Sequence, residues 1–208
     1  MFPPNTWVFD LEIINAIPTK GVVNTPGINY CRHWGDHSNM GISVICAARP
    51  DGTDMRTYIG DPYAAPYRLG GTIMDFYRLV SESDFMVGYG SHNFDAKVLA
   101  ARGVHLRPSY HLDLLREVKK AVNNQAPKGW SLSVASNRIG FPTKEFDGAQ
   151  APVAWQQGRH QEVIEYCQTD VLRTCALTRF YAANGASLLG PDNLRIHLRT
   201  LPEIITNP

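Results

Sequence analysis

Two carboxylates stand two residues apart in the run Trp7-Val8-Phe9-Asp10-Leu11-Glu12-Ile13. The run is otherwise apolar and aromatic, so it predicts a β-strand, and side chains along a strand alternate faces. Trp7, Phe9, Leu11 and Ile13 then share one face, while Val8, Asp10 and Glu12 share the other. The two acids project the same way, about 6.6 Å apart along the strand. At an effective dielectric of about 20 they repel by roughly 2.5 kcal/mol. A solvated acidic face tolerates that repulsion; a bound cation cancels it.

Two later segments carry acids in unusual settings. In Val87-Gly88-Tyr89-Gly90-Ser91-His92-Asn93-Phe94-Asp95 an apolar strand ends in glycine-rich turn chemistry and the next helix opens on N-F-D. Helix capping is one reason for Asp95; the other is a ligand backbone admitted by the glycines. In Glu165-Tyr166-Cys167-Gln168-Thr169-Asp170, Tyr166 and Asp170 lie four residues apart and share one face of a helix. The apolar positions Val163, Cys167, Val171 and Cys175 of that helix should meet the core. If Asp10, Glu12, Asp95 and Asp170 converge, their six repulsions sum to over about 10 kcal/mol, comparable to a whole domain's stability of about 5–15 kcal/mol. Hard oxygen ligands without cysteine or histidine favour Mg2+ or Mn2+.

D-L-E at Asp10 and Glu12, N-F-D ending in Asp95, and Y-x-x-x-D at Tyr166 and Asp170 resemble, in that order and context, the DEDD 3′→5′ exonucleases. The resemblance runs from residue 7 to about 183. Y-C-Q-T-D-V, preceded by Trp155-x-x-Gly158, is most similar to the exonuclease domain of B-family DNA polymerases. The resemblance implies an α/β, ribonuclease-H-like fold with a central mixed β-sheet flanked by helices. It also implies two divalent ions, Mg2+ or Mn2+: Asp10 bridging both, Glu12 and Asp170 completing one, Asp95 holding the second largely through water. Glu165 stands where the other branch of the family has a histidine, and Tyr166 places the chain with the tyrosine branch, whose phenol orients the attacking water. A ribonuclease-H-type endonuclease and a catalytically silent nucleic-acid-binding module on the same fold are the competing readings.

On the substrate side, Tyr89 and Trp155 are candidates for stacking on bases, and His92 and Asn93 for positioning the terminal nucleotide. Arg173, Arg179, Arg195 and Arg199 face a single acid, Asp192, in residues 171–200, and Arg102, Arg107, Arg116, Lys119 and Lys120 form a second basic stretch. Either set is a solvated surface or a source of phosphate contacts; Arg173, closest to the last acid, is the leading phosphate candidate. The expected partner is nucleic acid, DNA ahead of RNA and single strands favoured.

The elements that must position these groups follow from periodicity and breakers. Residues 14–40, punctuated by Pro18, Gly21, Pro26, Gly27 and Gly35, predict a long irregular connection with a short strand near Ile28–Tyr30. Strands are expected over 41–47, 55–59 and 84–88, and helices over about 72–81, 94–102 and 160–183. Strand passes into helix from His111 to Val122, a loop spans Asn123 to Gly129, and a short helix starts at Ser131 and ends at Gly140. Residues 141–158 read as irregular, and the tail from about 185 to 208 has no assignable element. With no repeat or linker, the 208 residues read as a single domain.

Composition bounds the function classes. The chain is 44% hydrophobic with a formal net charge of +1, which argues against a strongly basic nucleic-acid coat. Of its 19 acidic residues, setting the four candidates aside leaves 15 against 20 basic ones, a balance that suits an anionic ligand. No apolar run has the length of a membrane span, and the amino terminus resembles no signal peptide. Cys31, Cys46, Cys167 and Cys175 form no C-x-x-C pair, which fits a reducing, cytoplasmic setting. Cys31, His33 and His37 have the types for zinc but no fourth ligand at zinc spacing.

Overall fold

The computed structural model describes residues 2–60, 71–123, 129–142 and 146–208. The opening run forms strand β1 (Thr6–Glu12). After it come a short helix α1 (His37–Met40), then strands β2 (Val44–Ala48), β3 (Arg56–Ile59) and β4 (Gly71–Thr72). Helix α2 (Ile73–Glu82) starts at a capping box, in which Thr72 and Asp75 exchange side-chain and backbone hydrogen bonds. From there strand and helix alternate: β5 (Phe85–Gly88), α3 (Asp95–Ala100), β6 (His111–Asp113) and α4 (Leu114–Ala121). Helices α5 (Leu132–Asn137), α6 (Ala151–Gln156) and α7 (His160–Ala183) follow, and the chain ends in β7 (Ser187–Leu189), β8 (Arg195–His197) and α8 (Leu201–Thr206).

Six strands form one mixed sheet in the order β4-β3-β2-β1-β5-β6. β1 runs antiparallel to β2 and parallel to β5, so it lies in the middle of the sheet. This α/β layering, with helices on both faces, is consistent with the ribonuclease-H-like fold. The two faces are two separate cores. Trp7, Phe9, Leu11 and Ile13 pack with Phe76 and Leu79 of α2 and Val98 and Leu99 of α3 on one side. Val8 packs with Cys46, Phe85 and Val87 against α7 on the other. Register puts Asp10 beside Cys46 and Glu12 beside Val44 on that second face, under α7. The alternation expected of the opening run is therefore observed.

Helix α7 buries the predicted stripe, with Val163, Cys167, Val171 and Cys175 all fully buried. The Cys167 thiol donates to the Asp10 carbonyl at 3.5 Å, which sets α7 one turn's reach from the acidic strand. The helix ends at Asn184, and Gly185 follows at φ +63°, a left-handed position suited to glycine.

Three expectations need correction. Within the stretch 141–158, of which residues 143–145 lie outside the described residues, 148–156 are not irregular: a 3-10 turn at Gly148–Gln150 leads directly into α6. The tail is ordered structure, its β7–β8 hairpin and α8 burying Leu188, Leu198 and Ile204 in the α7-side core. Arg199 clamps it with both guanidinium arms on the Glu117 carboxylate at 2.7 Å. In the connection after β1, the expected strand near Ile28–Tyr30 reduces to a single bridge between Ala16 and Tyr30. Apart from its two ends, the loop expected between Asn123 and Gly129 lies outside the described residues. Among the described residues, no helix is long and apolar enough to cross a membrane.

Candidate active site

Asp10 and Glu12 rise from the middle strand, and Asp170 comes down to them from α7. Each offers a carboxylate oxygen, and these oxygens lie within 4.8 Å of one another. Among the described residues this is the one set of His, Cys, Asp or Glu side chains grouped closely enough to hold an ion. Its donors are all hard oxygens, and their negative charges converge, so the set fits a Mg2+- or Mn2+-type cation on both ligand chemistry and charge. The zinc possibility is not borne out. The Cys31 thiol donates to the His33 carbonyl at 3.5 Å, and the His33 ring accepts from the Gly35 amide at 3.1 Å.

Tyr166 lies on the same face of α7 as Asp170 and hydrogen-bonds its carboxylate. Burial, followed by the charges of Asp170, Glu12 and Asp10, holds the phenol far above the ordinary tyrosine value. It therefore stays protonated and is suited to donating or orienting, not to taking a proton. Phe146 packs against its ring at a tilt, with centroids 4.9 Å apart and planes 47° from parallel. Gly148 lies so close that a Cβ there would overlap the Tyr166 hydroxyl. The turn before α6 thus shapes the seat of the phenol.

Asp95 lines the same cavity of about 610 Å³ as Asp10, Glu12, Tyr166 and Asp170, yet stands outside the close trio. It opens α3 at its first residue, and the cap position, Phe94, makes no side-chain capping bond. Helix capping therefore does not account for it. Burial, with a smaller push from Asp113, raises its carboxyl to about 7, against hydrogen bonds from the amides of Asp95 itself and Leu11. A nearby cation would restore the ionised form.

The loop that carries Asp95 is held by Asp113. This residue caps α4, its carboxylate accepting from the amides of Leu115 at 3.0 Å and Arg116 at 3.1 Å. The same carboxylate accepts from Gly90 at 2.8 Å and His92 at 2.9 Å. One side chain thereby ties the glycine-rich turn after β5 to the end of β6. Sequence reasoning missed Asp113, although its place just before a helical pattern is a capping signal. It also missed Gly148 and Trp34, for which short-range pattern holds no signal.

The substrate candidates divide. The Tyr89 ring and exposed Asn93 line the carboxylate cavity, and the Tyr89 hydroxyl donates to the Trp130 carbonyl at 2.6 Å. His92 is half-buried, its ring 3.4 Å from the Arg116 guanidinium. Trp155 is corrected: at 2% exposure it is core, packed against the His160 ring, and cannot stack on a base. Arg173 is corrected too. It is 1% exposed, donates to Ser136 at 3.0 Å and to the Pro142 carbonyl at 2.7 Å, and sits 3.6 Å from Asp170. Its charge serves the interior rather than a phosphate. Arg179 and Arg199 are likewise engaged, on the Asp51 carbonyl and on Glu117. Of the second basic stretch, Lys120 pairs with Glu117 at 3.4 Å, whereas Lys119 reaches the carboxylate cavity.

Residues 105–186 match a family described as a predicted 3′-5′ exonuclease related to the exonuclease domain of PolB. That match supports the exonuclease family. The exonuclease-like segment takes in β6, Asp113, Gly148, Tyr166 and Asp170, while Asp10, Glu12 and Asp95 lie before it. Nucleic acid is the substrate the family implies. No curated protein matches the chain.

Proposed function

We propose that the chain is a single-domain, metal-dependent 3′→5′ exonuclease of the tyrosine branch, acting on single-stranded DNA in preference to RNA. The observation that carries this reading is the grouping of Asp10, Glu12 and Asp170 within 4.8 Å beneath the Tyr166 phenol. Four mutually repelling acids in one cavity are understandable as ligands, since bound cations remove that cost while keeping all four ionised.

Asp10, Glu12 and Asp170 would hold one divalent ion, Mg2+ or Mn2+, and Asp10 with Asp95 a second. Such a pair, when bound, lowers the proton affinity of a water and stabilises the leaving oxygen of an in-line displacement at phosphorus. The chain's own groups do the rest. The protonated Tyr166 hydroxyl, held by Asp170, orients the attacking water. Arg173 balances Asp170 from behind, so the carboxylate is not left as an isolated buried charge. Lys119 on the cavity wall offers a cation to a backbone phosphate.

The test is an assay on 5′-labelled single-stranded DNA and RNA with Mg2+ or Mn2+ and with EDTA. Stepwise shortening from the 3′ end that EDTA abolishes is the expected result. Internal cuts would replace this reading with a ribonuclease-H-type endonuclease. Binding without metal-dependent turnover would replace it with a silent binding module.

A further inference from the structure

The cap of α4 explains only half of what Asp113 bonds. Its Oδ1 accepts from Leu115 and Arg116 in the first turn of its own helix, which is all that an N-cap requires. The same oxygen also accepts from the Gly90 amide at 2.8 Å, and Oδ2 accepts from the His92 amide at 2.9 Å. The side chain is 3% exposed, so these four N–H groups take the place of water around the carboxylate. A second amide pair drawn from another segment is a task beyond capping.

Sheet register explains the reach. Asp113 at the end of β6 pairs with Gly88 at the end of β5, so the turn that leaves Gly88 starts beside the Asp113 side chain. Gly90, at φ +74°, lets the chain bend there. Between the two pinned residues, Ser91 is held as well: its hydroxyl bonds the buried His111 ring at 2.9 Å. The Ser91 carbonyl accepts from the Ala96 amide at 2.8 Å, which joins the pinned turn to the residue after Asp95. The buried Asp95 carboxylate in turn accepts from the Leu11 amide, between Asp10 and Glu12. A chain of hydrogen bonds therefore runs from the end of β6 to the acidic strand, and Asp95 is its last side chain. Asp10, Glu12 and Asp170 stand on β1 and α7, which hold their places without it.

Resting on the reading of the four acids as ligands for two divalent ions, we infer that Asp113 is a positioning residue for Asp95. It fixes the turn that carries Asp95, and so sets the affinity for the second ion without setting that of the ion held by Asp10, Glu12 and Asp170. Partners that orient a metal ligand change affinity by about 10–100-fold. Asp113 acts through the backbone, which puts its effect near the lower figure.

Two substitutions separate the turn from the cap. Asp113→Asn keeps an oxygen for Gly90, Leu115 and Arg116 but turns an NH2 group toward the His92 amide, donor against donor. Asp113→Ser still caps α4, yet its hydroxyl is too short to serve Gly90 and His92 as well. The full chain is titrated with Mn2+ at fixed thymidine monophosphate, because a site with few carboxylates takes a phosphate oxygen as a further ligand. Electron paramagnetic resonance of the free ion gives the stoichiometry and both dissociation constants.

Asp113→Ser should weaken the second ion about tenfold and leave the first within about twofold, with Asp113→Asn falling between it and the unaltered chain. Added to Asp95→Asn, Asp113→Ser should change nothing further. Hydrogen exchange in EDTA reads the turn without metal: the Gly90, His92 and Ala96 amides should exchange faster in Asp113→Ser, while Val118 inside α4 keeps its protection. Equal weakening of both ions, an unchanged second constant, unchanged exchange at the three amides, or a further loss in the double variant overturns the positioning role. If the unaltered chain still binds two Mn2+, that role falls alone. An unaltered chain that binds fewer than two Mn2+ overturns the two-ion reading, and the ion-setting role with it.

Discussion

At the scale of single residues, the phenol of Tyr166 joins the most separate pieces of chemistry. It hydrogen-bonds Asp170, feels Glu12 and Asp10, and is shaped by Phe146 and Gly148. Tyr166→Phe should leave the melting temperature nearly unchanged and lower kcat by about 10²-fold, within the range for positioned proton-handling groups. An unaltered kcat in steady-state assays would remove the water-orienting role. Gly148→Ala tests the same role from outside: the added methyl must push the hydroxyl aside, so kcat should fall while KM changes little. A fall in Gly148→Ala that persists in the Tyr166→Phe background would mean that the glycine acts through something other than the hydroxyl. Tyr166 and Asp170 were legible in the sequence because four residues is one helical turn. Gly148 was not, because its importance is a contact made across a turn and a helix that sequence spacing does not relate.

At the scale of elements, α7 both seals the sheet and delivers Asp170. That double duty explains Arg173, which the sequence offers as a phosphate contact and the fold spends inside, one turn along from Asp170. Removing one partner of a buried ion pair leaves the other charge uncompensated, at about 3–5 kcal/mol. Arg173→Met should therefore lower the unfolding free energy in EDTA by about that amount, measured by urea titration. In Mg2+ the loss should be smaller, because a cation then compensates Asp170. An equal loss in both conditions would show that Arg173 stabilises through Ser136 and Pro142 and not through Asp170. The β-branched and sulfur-bearing stripe of α7 was readable in advance. The fate of a basic residue on the same helix depends on what packs above it, here α5 and the segment after it, and no periodicity encodes that.

At the scale of the whole molecule, the glycine-rich turn, β6 and the site form one hydrogen-bonded unit, with buried His111 bonded to Ser91 at 2.9 Å. Burial, then the charges of His92 and Arg116, pushes the His111 ring down to about 3 from 6.5. Above the unfolded value both states are neutral and the full stability is present. As pH falls from about 6.5 toward 3, the unfolded chain binds a proton that the folded chain refuses, so stability drops by up to about 1.4 kcal/mol per pH unit. The urea midpoint of the unaltered chain should therefore fall more between about pH 7 and pH 5 than that of His111→Gln. Equal falls would place the acid sensitivity elsewhere.

The sequence by itself determined the strand that bears Asp10 and Glu12, the helix that bears Tyr166 and Asp170, and the way each presents its polar face. Those features are local: alternation and helical turn are properties of a few neighbouring residues. The tertiary structure decided which acids close to 4.8 Å, that Asp95 stands apart from that trio, that Trp155 and Arg173 are interior, and that Trp34 reaches the site. Each of these depends on packing between segments far apart in the chain, and side chains of one type read alike in sequence whether a neighbouring layer covers them or leaves them to solvent.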